Sequence, residues 1–176
     1  EDMFYFTYRR ERPTGIRNDA GRCRNEHLFK YMYGSTPAEV RKHLVKVPWN
    51  GSYVLFSKVN GAAAALAAVD RELQQHPELK KYLVSSGTFN WRYIRGTKRL
   101  SSHAFATAID IGVAKYADYW KNSGLSEAST QLVYRNRMPL ELAKIFEKHG
   151  FIWGGYWYHY DTMHFEYHPE IIAANP

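Results

Sequence analysis

A single carboxylate in the middle of a short apolar run constrains this 176-residue chain more than any other feature. Ala108-Ile109-Asp110-Ile111-Gly112 has the composition of a strand that carries one inward polar group. Enclosing an ionised side chain costs free energy unless a partner or a metal ion compensates it. The fold must therefore bring something to Asp110. His103 lies seven positions upstream, in Ser101-Ser102-His103-Ala104-Phe105-Ala106-Thr107. A second imidazole, His164, sits near the C-terminus in Asp161-Thr162-Met163-His164-Phe165-Glu166, with a carboxylate three positions before it. Two histidine nitrogens and one carboxylate oxygen can fill three tetrahedral positions on zinc and leave the fourth to water. Asp161 is then free to act as a base on that water. From the chemistry alone a metal site and a set of satisfied core pairs are equally open. Of the eight histidines only His103 and His164 have a carboxylate companion in an otherwise apolar setting. His159, in an aromatic run, can stabilise a loop or line a groove. Glu166, two residues after His164, points to the same strand face and is a supporting partner or a competing base.

The punctuation around these segments predicts a single domain over residues 35–176 with an arm, residues 1–34, packed on it. The arm is extended, with a short helix near Asn25–Tyr33. Thr36-Pro37-Ala38-Glu39 opens a helix to about Val45, with a Thr cap and Pro at the first helical position. Pro48-Trp49-Asn50-Gly51 reads as a turn before a strand over Ser52–Phe56. A structural helix runs from Ala62 to Gln75, with Leu66, Val69 and Leu73 at helical spacing, and ends at His76-Pro77. His76 reads as an exposed helix-end residue. Leu79–Val84 leads into a strand turning to loop through Ser85–Arg92. Tyr116–Arg137 reads as an insertion beside the site, with helical pieces. A second helix covers Pro139–His149 and stops at Gly150; His149 suits its dipole. Phe151–Tyr160 reads as a strand, a glycine turn and a second aromatic strand, its aromatics divided between core and groove wall, with Trp153 assigned to the substrate groove. Met163–Tyr167 is the last strand.

Composition removes several classes. No run approaches about 18 apolar residues, so no transmembrane helix is expected. The longest apolar run, Ala62 to Val69, is short and alanine-rich. The first residues do not read as a signal peptide, and without an initiator Met a removed leader is compatible with the sequence. A single cysteine, Cys23, forbids an intramolecular disulfide and a Cys-based zinc cluster. The net charge of +7 suits an acidic partner or simple solubility. The basic residues are dispersed except for Arg92–Arg99.

Taken together, Ser-x-His-x(6)-Asp with Ala two residues before the Asp, then Asp-x-x-His-Phe-Glu, resembles the zinc peptidases of the D-alanyl-D-alanine carboxypeptidase (VanY-like) family. That family shares the fold of lysostaphin-type enzymes and the hedgehog signalling domain. The nearest subgroup is that of bacterial and phage peptidoglycan endopeptidases, including L-alanyl-D-glutamate endopeptidases. The similarity spans roughly residues 80–170 and includes Gly87–Arg92, Arg99-Leu100-Ser101 and Phe151–Gly155. It implies an α+β fold: a small antiparallel sheet carrying the zinc site, flanked by helices. It implies one zinc ion on His103, Asp110 and His164, with Asp161 as general base and Arg92 on the scissile carbonyl. Ser101 becomes a site-supporting, substrate-side hydroxyl. One departure stands out. The family has Gly three residues after the first His, where this chain has Ala106, acceptable if the backbone there needs no positive φ.

The implied activity is hydrolysis of an amide bond in peptidoglycan stem peptides by a monomer of the bacterial periplasm or envelope, or by a phage-encoded enzyme. The competing readings are a D,D-carboxypeptidase that binds a terminal carboxylate through Arg95, Lys98 or Arg99, and a non-catalytic zinc domain that binds cell wall or protein. Asp161 weighs against the latter. Nucleic-acid binding ranks last, since no such motif is present.

Overall fold

The computed structural model describes residues 7–15, 19–22, 24–94, 97–113 and 115–176. Cys23 and Arg95, on which two of the sequence expectations rest, lie outside the described residues. The α+β class expected from the sequence is borne out: two small antiparallel sheets combine with several helices.

Helix α1 (Glu26–Tyr33) is capped by Asn25, whose side chain accepts from the Leu28 amide. Helix α2 (Pro37–Arg41) starts as read, with the Thr36 hydroxyl accepting from the Glu39 amide. It ends earlier than predicted, because Leu44–Trp49 forms strand β1 rather than helix and turn. The overlooked signal is alternation: Val47 and Trp49 are buried while Lys46 and Pro48 are exposed. Strand β2 (Ser52–Ser57) returns through Asn50-Gly51, both at positive φ, as a two-residue hairpin turn requires.

Helix α3 (Ala62–Leu73) buries Leu66, Val69 and Leu73 completely. Strands β3 (Ser85–Gly87), β4 (Ala108–Ile111), β5 (Phe151–Trp153) and β6 (His164–Tyr167) form the second sheet in the order β3-β4-β6-β5, all antiparallel. A six-residue 3-10 segment, Pro77–Tyr82, leads into β3. Helix α4 (Leu140–Lys148) packs on this sheet, with Phe146 stacked on Phe165 at 3.9 Å between ring centres. The second aromatic strand expected after Gly154-Gly155 is absent: Gly154–Tyr156 is a 3-10 turn followed by bends. Helix α5 (Pro169–Ala174) ends the chain.

The pairing of β4 with β6 sorts the sheet into two faces. Ile109 lies opposite Phe165, and both enter the main core with Phe151 and Trp153. Asp110 lies opposite His164, and Ala108 opposite Glu166, so the polar residues share the other face. A smaller apolar cluster of Phe29, Tyr33, Leu100, Ala104 and Phe105 ties α1 to the segment that carries His103. No helix among the described residues is long and apolar enough to cross a membrane.

Candidate metal centre

The register of β4 against β6 places Asp110 beside His164 without any loop being needed. Asp110 Oδ1 is 2.9 Å from His164 Nδ1. His103 arrives from a 3-10 turn, Ser102–Phe105, whose first turn is capped by the Ser101 hydroxyl accepting from the His103 amide at 3.4 Å. Its Nε2 is 3.1 Å from Asp110 Oδ2. To pass from this turn into β4 the chain adopts a left-handed conformation at Ala106, φ 54° and ψ 40°. The condition under which Ala was acceptable at that position is therefore not met: the backbone does take a positive φ there.

One donor atom each from His103, Asp110 and His164 lies within 4.8 Å of the other two. The remaining nitrogen of each ring faces an acceptor. His103 Nδ1 is 3.2 Å from the Thr88 carbonyl, and His164 Nε2 is 3.2 Å from Glu166 Oε2. Fixing a proton on the outer nitrogen leaves the inner lone pair for a metal, which is how metal-binding histidines are usually held. His103 Nε2 is buried and, like His164 Nδ1, faces the Asp110 carboxylate. Two imidazoles and a carboxylate converging in this way make a donor set that fits zinc.

The charges around this cluster are strongly perturbed. Burial alone would raise the Asp110 carboxyl, but hydrogen bonds to His103 and His164 outweigh it and hold it well below its usual range. Burial opposes charge on His164, yet Asp110 and Glu166 push its pKa well above the ordinary value. Glu166 is 1% exposed, and its carboxyl is held low by His164 and His168 against the burial that would raise it. Asp161 behaves oppositely. Burial, aided by Asp110 and Glu166 and opposed by His164 and Arg92, pushes it up to about 7. Its Oδ1 is shielded from solvent and has no hydrogen-bond partner among the described residues. Its backbone amide donates to the Gly154 carbonyl at 2.9 Å, and a Cβ on Gly154 would collide with the Asp161 carbonyl. The glycine turn thus brings Asp161 close to β5.

Two hollows meet at this cluster. One, of about 220 Å³, is lined by Thr88, Asn90, Arg92, His103 and Asp110. The other, of about 200 Å³, is lined among others by Arg92, Tyr119, Trp157, Asp161 and His164. Arg92 and Asp110 line both. Ser101 is 5% exposed and reaches the second hollow, although its hydroxyl caps the His103 turn. Trp153, expected in the groove, is instead 1% exposed in the core, with its indole N–H donating to the Thr162 carbonyl at 2.9 Å. Trp157 stands in the groove wall, its ring centre 5.5 Å from that of His164. Both tryptophans belong to the same aromatic run, and only the strand end at Trp153 decides which one turns outward.

His159 is buried with its Nδ1 2.6 Å from Asp19 Oδ2 and also lines the second hollow, so loop support and groove lining, its two readings, coincide. His149 pairs with Glu72 at 2.8 Å at the end of α4, and His76 pairs with Glu78 at 3.2 Å. The sequence singled out neither Tyr119 nor Trp157. Only Trp157 carried a local signal, as an aromatic flanking the glycine turn.

Residues 95–167 match a protein-family model described as D-alanyl-D-alanine carboxypeptidase. The matched region contains His103, Asp110, Asp161 and His164 but not Arg92. No curated protein and no solved structure matches the chain.

Proposed function

We propose that the protein is a zinc peptidase that hydrolyses an amide bond within bacterial peptidoglycan stem peptides. The family match supports a metallopeptidase acting on cell-wall peptides in general. The observation that carries the finer reading is the pair of hollows meeting at Arg92 and Asp110, which leaves room for substrate on both sides of the reacting bond. An endopeptidase needs such room; removal of a terminal residue needs less.

His103, Asp110 and His164 would hold the ion. Bound there, zinc supplies a Lewis acid that lowers the pKa of water toward neutrality. Asp161, with its pKa raised to about 7, is matched to accept a proton near neutral pH and return it to the leaving amine. Arg92, which lines both hollows, orients the scissile carbonyl and balances the charge that develops on its oxygen. Trp157 and Tyr119 form an aromatic wall against the peptide. The net charge of +7 suits an anionic polymer substrate.

The family description favours a second reading, release of terminal D-Ala. Mass spectrometry of defined muropeptides separates the two. Zinc-loaded wild type should yield an internal fragment that the Asp161→Ala variant does not, while both bind one zinc. Loss of D-Ala alone would establish the second reading. No fragment from the wild type with zinc bound would refute both, and zinc loss in Asp161→Ala would make Asp161 a ligand rather than the base.

A further inference from the structure

Glu166 Oε2, which faces His164 Nε2 at 3.2 Å, also accepts a hydrogen bond from the Ser102 hydroxyl. Ser102 Oγ in turn accepts from Arg24 Nη1 at 2.7 Å. A hydroxyl has one proton, so once the guanidinium occupies a lone pair on Ser102, that proton is committed to Glu166. The second Arg24 prong, Nη2, donates to the Leu100 carbonyl, which fixes the guanidinium plane. Arg24 is 7% exposed, and its head lies 5.5 Å from the ring centres of both Phe29 and Phe105. Ser102 and Glu166 are 4% and 1% exposed, so water has little access to replace any link.

A second, independent observation places the same arm on the same carboxylate. A Cβ built on Gly21 would overlap the Trp157 ring and Glu166 Oε1. The backbone at Gly21 therefore lies directly against the carboxylate that faces His164 and against the groove wall. Neighbouring arm residues hold it there. Asp19 accepts from the His159 amide at 2.9 Å, and Arg99 donates to the Arg22 carbonyl.

We infer that Arg24 is a positioning residue of the metal centre, acting through Ser102 and Glu166 to hold the His164 ring with Nδ1 turned toward Asp110. The inference rests on the reading of the site as a zinc centre. The N-terminal arm is then part of the metal centre's support, because Arg24, which reaches Glu166 through Ser102 on the side opposite His168, comes from outside the region that matches the family model.

The test uses zinc alone as ligand and the full chain. Arg24→Met should weaken zinc binding about 10-fold in competition with a chelating dye, the low end of the effect of losing a direct outer partner of a metal-bound His, because Arg24 acts on that partner through Ser102. Arg24→Lys, a point charge in place of a fork, should recover only part of that loss. Arg9→Met, at an arm side chain 62% exposed and away from both hollows, should bind zinc as the wild type does. If Arg24→Met does not fold, Ser102→Ala removes the middle link and carries the same expectation. In the metal-free wild type a proton on His164 Nε2 should be protected from exchange and visible by NMR, and in either variant it should exchange rapidly. A purely structural role would lower stability and leave both the zinc affinity of the folded protein and that proton unchanged. Folded Arg24→Met or Ser102→Ala with wild-type zinc affinity would overturn the inference. A wild type that binds no zinc would overturn the reading of the site itself.

Discussion

Tyr8→Phe is the most direct perturbation of the contact between the N-terminal arm and the site-bearing sheet. The Tyr8 hydroxyl donates to Glu147 Oε1 at 2.6 Å and accepts from the Trp153 amide at 2.9 Å, and the residue is 3% exposed. Strand β5 is an edge of its sheet, so this hydroxyl satisfies an amide that no neighbouring strand reaches. Phe keeps the ring packing and deletes one oxygen. A buried amide left unpaired costs about 1–3 kcal/mol. Glu147, 6% exposed, keeps Arg10 at 3.2 Å but loses its stronger partner, for about 1 kcal/mol more. The expected loss is about 2–4 kcal/mol, which for a chain of this size lowers Tm by roughly 4–16 °C. Urea unfolding followed by both circular dichroism and tryptophan fluorescence measures it and checks two-state behaviour. Tyr31→Phe, at a residue 88% exposed, is the control and should change stability by less than about 0.5 kcal/mol. A Tyr8→Phe midpoint equal to that control, at unchanged m, would refute the reasoning: the arm would contribute nothing to the fold at this contact.

Four further outcomes are expected. Trp153→Ala should cost about 3–5 kcal/mol as a core deletion, whereas Trp157→Ala should raise KM for a muropeptide with a smaller change in stability; steady-state kinetics and urea melts on both variants separate the roles. Arg92→Lys should lower kcat/KM by about 10-fold or more, because a planar fork is replaced by a point charge; wild-type turnover would remove Arg92 from the mechanism. Burial pushes Tyr33, Tyr119, Tyr134 and Tyr156 up to about 12; unfolded tyrosines titrate near 10, so the stability these groups contribute is complete below about pH 10 and is lost as pH rises through about 12. An ultraviolet tyrosinate titration should show delayed ionisation ending in cooperative unfolding. In chelator-treated protein, His168 is raised to about 9 by Glu166 and Glu170 despite the burial that opposes it; its contribution is complete below about pH 6.5 and lost as pH rises through about 9, a slope that His168→Gln should remove from pH-dependent urea midpoints.

The convergence of His103, Asp110 and His164 was legible because its cost is local. An aspartate between two isoleucines needs a partner wherever the chain goes, and strand alternation keeps His164 and Glu166 on one face. The helices over Glu26–Tyr33, Ala62–Leu73 and Leu140–Lys148 were legible for the same reason, since spacing and caps act within a turn or two. The failures lie where two local signals compete. Thr36-Pro37 starts a helix convincingly, and nothing before Leu44 stops it except that Val45, Val47 and Trp49 gain more burial by pairing with β2. Trp153 and Trp157 are alike in sequence, but β5 ends at Trp153 and the turn at Gly154–Tyr156 sends Trp157 to the groove.

Arg24 and Ala106 were illegible for a different reason: what each does is defined by residues far along the chain. Arg24 reads as one more basic residue in a chain with 24 of them, and it acquires a role only where β6 brings Glu166 beneath Ser102. Ala106 reads as a methyl group where glycine is usual, and its φ of 54° shows that the conformation glycine serves is retained. Holding alanine left-handed costs about 1–2 kcal/mol. Against that, glycine would lose about 0.5–1 kcal/mol more entropy on folding, and the Ala106 methyl, fully buried, contributes about 0.8 kcal/mol. The terms nearly cancel, so the exchange is close to neutral for stability. The turn holds its shape because its neighbours over-determine it: the Ala106 amide donates to the His103 carbonyl at 3.1 Å, and the Ala106 carbonyl accepts from the Ser57 amide of β2 at 2.9 Å. The two-stranded sheet thus grips the turn that aims His103, and the placement of the first imidazole depends on both sheets.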